Sequence, residues 1–353
     1  MLIDERPGSY RLAGAAVEAT QLTSAAIDAT IEGRWHLCAI DRGTLKRLMK
    51  RSDAPGLRNF GLWLALLIAS GTAGALAWGS WWALPAFFVY GTLYCSSDAR
   101  WHDCAHGTPF RSRWLNEGFY HLASFMALRE AYLWRWSHSR HHTHTMIPGR
   151  DPEIQVPRPA NLPRIALDFL HLIDGPSELR KIALHALGIV TADARDLVPM
   201  RDRGKMIWSS RAYLAVIGAV AAWSWAIGSL LPMMYVLLPR FYGAWHHQLC
   251  SLTQHAGLAE NVRDHRLNTR TVEMSAVHRF LYLNMNYHLE HHMFPMVPFH
   301  ALAKLHEAIK DQLPRSCTGF IDAYREIIPV LIRQARDPGY FLRRELPPGP
   351  VGA

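Results

Sequence analysis

The 39 residues from 59 to 97 contain no Asp, Glu, Lys or Arg, and the 48 from 212 to 259 contain a single charge, Arg240. At about 1.5 Å of rise per residue, the first run drawn as one helix would reach roughly 58 Å, about twice a bilayer's hydrocarbon core of roughly 30 Å. Each run is therefore expected to fold back on itself. Gly79 and Ser80 offer the first turn, with Trp78, Trp81 and Trp82 clustered where an aromatic belt would lie. Gly228 and Ser229 offer the second, with Pro232 opening the return. The expected fold class is an all-α integral membrane protein with two transmembrane hairpins, the four spans lying at about 60–78, 81–97, 211–229 and 232–252. A buried helical hairpin of a soluble protein is the alternative for each run.

Charge then sets orientation. Lys and Arg are dense before Phe60, between Arg100 and Arg211, and after Arg263, while neither hairpin tip carries a charge. The positive-inside tendency puts both termini and the central loop in the cytoplasm, at the inner membrane if the cell is bacterial. The formal net charge of +9 is read as topology and contact with anionic head groups, and no motif supports nucleic-acid binding. Cys38, Cys95, Cys104, Cys250 and Cys317 have no CxxC spacing, so no disulfide framework is implied. The first 30 residues lack a signal peptide's apolar core. Residues 1–40 are expected to be poorly ordered, 41–340 to form one domain, and 341–353 to be a frayed tail.

Between these landmarks the expectations are coarser. Leu45, Leu48 and Met49 mark a basic amphipathic helix suited to the membrane interface. Residues 118–128 are apolar but short for a span, which suggests an interfacial or re-entrant helix. The proline-rich stretch 145–163 reads as an ordered loop, 165–198 as interfacial or cytoplasmic helix, 276–292 as the stretch that bears the last histidine cluster, and 299–313 as an amphipathic helix.

Histidine, at 20 residues, is the compositional outlier, and it is clustered. His102 and His106 stand at i, i+4; His138, His141 and His142 stand at i, i+3, i+4; His288, His291 and His292 repeat that pattern. On a helix, three imidazoles so spaced share one face and converge on a point just off its surface. Eight such ligands exceed the about four to six that one ion takes, so two metals are expected. Imidazole suits iron, zinc, copper or nickel, and the absence of a cysteine pair argues against a zinc finger or an iron–sulfur cluster. Asp103 and Glu290, the acids inside the clusters, point about 100° from the neighbouring ligand and are expected to orient an imidazole. Arg240, near the middle of a span, is expected either to pair with an acid or to face a substrate cavity, where it would favour a carboxylate-bearing substrate; snorkelling is the alternative.

His102 to His106 as HDCAH, His138 to His142 as HSRHH, and His288 to His292 as HLEHH resemble the three histidine boxes of the membrane fatty acid desaturase superfamily, in order and spacing, over roughly residues 40 to 315. More narrowly, Arg135 to His138, Gly149 to Ile154 and Tyr287 to Pro295 are similar to a bacterial branch that includes the rhizobitoxine-pathway desaturase. The resemblance implies two iron ions, O2 as co-substrate, and a cytoplasmic cap of helices holding the site. It also implies a ninth histidine ligand soon after the last span: His255, with His246 and His247 as alternatives. Ser251 stands where some relatives carry an asparagine that reaches the metal through water. His144 stands where an aspartate is expected, as an extra ligand or in a supporting or solvent-facing role.

The implied reaction is desaturation of an acyl chain or of a small carboxylate or amino-acid-derived substrate. A hydroxylase or ketolase on the same scaffold is the enzymatic alternative, and a membrane metal-binding or transport protein the alternative of another class. The chain has no haem-binding HPGG segment, nucleotide fingerprint or ferredoxin cysteine run. A separate cytoplasmic electron donor, ferredoxin-like or similar, is therefore expected, alongside the bilayer as a partner.

Overall fold

The computed structural model describes residues 34–347; most of the segment expected to be poorly ordered, and the last residues of the tail, lie outside the described residues. Within them the structure is helical, with two isolated β-bridges and no strand.

The chain enters through α1 (Arg42–Leu48), capped by the Asp41 carboxylate, which accepts the Thr44 N–H. Leu45 and Leu48 pack onto Leu289, Met293, Leu302 and Leu305. The apolar side of this basic helix thus covers the protein beside the third box, where the sequence suggested a helix resting on a membrane surface.

Helices α2 (Asp53–Leu76) and α3 (Ala83–Cys95) form the first hairpin around Gly79, whose φ of 85° is one that glycine adopts freely. The Trp63 indole N–H donates to the Leu93 carbonyl (2.8 Å), and the Phe87 ring lies where a Cβ on Gly74 would intrude. At 24 residues, α2 is long and apolar enough to cross a membrane. After Ser96 the same path continues as α4 (Ser97–Ala105), so the first box is carried on the extension of the hairpin.

Helix α5 (Arg113–Met126) turns at Leu128 into α6 (Ala131–His144), which bears the second box. The Glu130 carboxylate caps α6 by accepting the Leu133 N–H (2.7 Å). The expected interfacial stretch resolves into α7 (Leu162–Asp168), α8 (Asp174–Ala186) and α9 (Ala192–Leu197). Helix α10 (Met200–Ala226), 27 residues long, is the second helix apolar enough to cross a membrane, and it begins well before the expected start at 211.

The return of the second hairpin departs from expectation. In place of one span over 232–252 there are three short helices, α11 (Leu231–Val236), α12 (Pro239–Tyr242) and α13 (Trp245–His255). Pro239 has no N–H, and its ring displaces the carbonyl one turn back. The carbonyls freed by the break find partners on the first hairpin: the Tyr90 hydroxyl donates to Tyr235 O (2.9 Å) and the Tyr94 hydroxyl to Val236 O (2.6 Å). Gly243 lies so close to Gly91 that a Cβ there would stand 2.1 Å from the Gly91 carbonyl oxygen. The two hairpins are thus joined backbone to backbone.

Beyond α14 (His265–Asn268), the stretch 276–292 is divided. Helix α15 (Ala276–Leu281) ends at Leu283 and Asn284, both at positive φ, and the third box forms its own short helix, α16 (His288–Met293). Helix α17 (Leu302–Ile309) packs on it, and α18 (Phe320–Gln334) packs beside α13.

Candidate metal centre

Four short helices bring nine histidines together. Within each HxxHH box, however, the three rings do not converge on one point. His138 and His142 join His102, His106 and His291 in one group; His288 and His292 join His141 and His255 in a second. Within each group the ligand nitrogens all lie within 4.8 Å of one another. Each box gives its i, i+4 pair to one group and its i+3 member to the other. Helix geometry accounts for this: residues four apart differ by about 40° around the axis, whereas i+3 and i+4 differ by about 100°.

The donor set fits a pair of cations. In the first group the Nε2 atoms of His106 and His138 are 2.9 Å apart, and those of His142 and His138, and of His291 and His142, 3.2 Å. In the second, His255 and His288 approach to 3.1 Å and His292 and His288 to 3.0 Å through the same atoms. Bonds of about 2.1 Å to a common ion put neighbouring nitrogens roughly 3.0–3.4 Å apart. Burial disfavours the imidazolium form, bringing His106 down to about 4 and His255 to about 3, and holding His102, His138 and His288 well below the usual range. Both ring nitrogens of His102 are buried without a hydrogen-bond partner. Such neutral, inward-facing rings are what a metal requires of histidine.

Behind the rings stands a set of acceptors that sequence reading missed. His138 donates through Nδ1 to Glu153 (3.1 Å), His141 to Asp151 (2.9 Å), His255 to the Asn268 carbonyl (2.8 Å), and His292 to the Thr145 hydroxyl (3.2 Å). Each fixes the proton on Nδ1 and turns Nε2 inward. Asp151 is itself held by the Met146 and Glu153 backbone N–H groups (2.7 and 2.8 Å). Burial alone would raise its pKa, but this is outweighed by His141 and these donors, which keep it ionised. The signal was present as two acids in the loop just after the second box, but no helical spacing tied them to a particular histidine.

The residues expected to orient the imidazoles are placed otherwise. Asp103 has an oxygen 3.9 Å from His102 Nδ1, beyond hydrogen-bond range, and burial pushes its carboxyl up to about 8. Glu290 accepts from Thr271 (2.6 Å) and holds His306 of α17 in a short contact, so it ties the third box to its neighbour helix and contacts no ligand candidate. His144 lies apart from both groups, beside Ser139, Arg140 and Asp196 on the outer side of α6. The Ser251 hydroxyl accepts from the Gln155 amide (2.7 Å). Of the alternatives for the ninth ligand, His246 pairs with His278 (3.0 Å) and His247 lies 3.6 Å from Asp98. Arg240 does both things expected of it, and the combination changes its meaning. It is 2 % exposed, contacts the Asp98 carboxylate through both terminal nitrogens, and lines a cavity that also reaches His102. Asp98 is shared with Arg129 (3.0 Å), so Arg240 is no free cation awaiting a substrate carboxylate.

Known proteins resemble this chain in sequence. A probable fatty acid desaturase of Sorghum bicolor is 25% identical over 281 residues, 71% of this chain and 69% of its own. A Synechocystis protein described as an sn-1 acyl-lipid omega-3 desaturase (ferredoxin) is 25% identical over 259 residues, 69% of this chain and 72% of its own. A second from the same organism, an sn-1 oleoyl-lipid 12-desaturase, is 23% identical over 269 residues, 70% and 76% of the two chains. The narrower likeness to the rhizobitoxine branch rests on its motifs alone. Residues 79–324, which carry all three boxes, match the fatty acid desaturase family, and with the box histidines gathered as they are, the chain belongs to that family of oxidoreductases.

Proposed function

We propose that this protein is an O2-dependent desaturase that binds two iron ions, one held by His102, His106, His138, His142 and His291 and the other by His141, His255, His288 and His292. The observation that carries this reading is the division of nine imidazoles, six of them buried and three half-buried, into two groups with nitrogen spacings that suit a cation. Iron so held would supply the O2-derived oxidising power needed to remove hydrogen from an unactivated C–H bond. The protein's part is orientation and exclusion of water. Glu153 and Asp151 hold His138 and His141 in the tautomer that presents Nε2, and Trp101, 2 % exposed and 5.4 Å from His138 between ring centroids, shields the first group.

The substrate is an acyl chain or a small carboxylate or amino-acid-derived compound. The name of one Synechocystis relative includes ferredoxin, which supports a ferredoxin-type donor, drawn to the basic face of the chain. Residues 41–340 act as one domain, anchored by four spans, the second return being the broken one, with the site and both termini in the cytoplasm. The test is metal and product analysis of the full chain. Two tightly held irons and a product lighter by two hydrogens, both lost in His141→Ala, are expected; a product heavier by one oxygen would make it a hydroxylase, and exchangeable zinc in place of iron would remove the oxidase reading.

A further inference from the structure

The cavity that reaches His102 has a volume of about 390 Å³ and a wall unlike one built for an alkyl chain. Its lining includes His102, Trp101 and Glu153. Along one side the Gln155 amide donates to Gln248 Oε1 (3.0 Å) and to the Ser251 hydroxyl (2.7 Å), while the Gln254 amide donates to the Tyr282 hydroxyl (2.5 Å). Opposite lies the Asp98 carboxylate with Arg240 and Arg129. Towards α7 and α8 the lining carries Arg164, bonded to Asp174 (2.5 Å) and 3.7 Å from Asp168. Arg164 is about half exposed, so this end opens at the surface.

Two features of this lining restrict what can enter. First, its charges cancel: Arg129, Arg164, Lys181 and Arg240 are matched by Asp98, Glu153, Asp168 and Asp174. Each of the four cations already faces a carboxylate, Lys181 through Glu178 (3.0 Å) and Asp193 (3.2 Å). A substrate with a net charge would upset this balance, in which Arg129 and Arg240 already share Asp98. Second, hydrogen-bonding capacity remains unused. Arg240 Nε and His171 Nε2 are buried without a partner, and both residues line the cavity. Methylene groups laid along such a wall would strip water from amides and ions and return no hydrogen bond.

We propose that the substrate oxidised here is a compact, water-soluble molecule of no net charge, neutral or zwitterionic, with hydrogen-bonding groups within a few bonds of the reacting carbon, and that Gln155 and Gln248 select it. The word oxidised rests on the desaturase reading; the binding does not. This departs from the acyl-lipid substrates in the relatives' names.

Saturation-transfer NMR on the iron-loaded full chain in lipid nanodiscs tests it, with 1,2-hexanediol, 2-aminohexanoate, hexanoate, hexylamine and oleate as probes. The diol and the zwitterion are expected to receive saturation, the two singly charged short probes at least fivefold less, and oleate none that competes with the diol. Gln248→Leu and Gln155→Leu, the latter on a loop, are each expected to lower the diol signal at least fivefold with iron content unchanged. Displacement of the diol by oleate, stronger binding of hexanoate, or equal signals in both variants and the parent would overturn the proposal. Iron measured on the same samples separates the two readings: diol binding without two irons per chain sinks the desaturase and leaves the cavity assignment, whereas two irons without diol binding does the reverse.

Discussion

The two histidine groups use the same residue type and are held in different ways. In the group of four, three rings have a fixed acceptor behind Nδ1: Asp151 for His141, the Asn268 carbonyl for His255, and Thr145 for His292. In the group of five, Glu153 serves His138, while Nδ1 of His102, His142 and His291 is buried without a hydrogen-bond partner. The group of five is also the one that borders the cavity, through His102. One group is therefore held mainly by hydrogen bonds behind its rings, His288 Nδ1 alone lacking one, while three rings of the other lack such support. Rings without fixed acceptors adjust more freely, and the less supported group is the one beside the cavity.

This contrast is broken most severely by removing a ring. His288→Ala, which takes from the second group the ring touching both His255 and His292, is expected to lower bound iron from two to one per chain or fewer and activity by at least about 100-fold. Iron by mass spectrometry, with helicity unchanged by circular dichroism, checks it. The next largest effect falls on the oriented site: Asp151→Asn loses the ionised acceptor behind His141 and is expected to weaken iron binding by roughly 10–100-fold. Glu153→Gln makes the same change behind the less organised group, where the loss is expected to stay near tenfold. Chelator titration ranks the two, and the contrast between the groups fails if Glu153→Gln is the more damaging.

What the sequence made legible follows the range of the interactions involved. Local periodicity exposed the three boxes, because i, i+3 and i+4 on one helix need no knowledge of the rest of the chain. It suggested one convergence point per box, and the division of each box between two groups emerged only when three other helices supplied the remaining rings. Asp151 and Glu153 were visible as loop acids, but loop residues have no period to assign them partners. The charge-free runs gave both hairpins; the broken return at Pro239 could be suspected from the proline. The approach of Gly243 to Gly91 could not, since a contact between residues about 150 positions apart leaves no mark in either neighbourhood. Arg240 was recognised as costly and as a candidate to pair with an acid, but which acid was not legible, because its partner Asp98 lies on another helix.

The smallest expected effect concerns the link between boxes. Thr145 donates its hydroxyl proton to the His141 carbonyl (2.8 Å) and accepts from His292 Nδ1 (3.2 Å), so one buried side chain fastens the end of the second box to a ring of the third. Valine has nearly the same shape and neither hydrogen-bonding function. Thr145→Val leaves the His292 Nδ1–H buried without an acceptor, at a cost of about 1 kcal/mol, or roughly fivefold in affinity. Because His292 belongs to the group of four, the weakening is expected in the last iron removed by chelator and not in the first. Thr145→Ser, which keeps the hydroxyl, is expected to restore parental retention. Equal weakening of both irons would mean that the two groups respond as one unit and that their different supports carry no functional distinction.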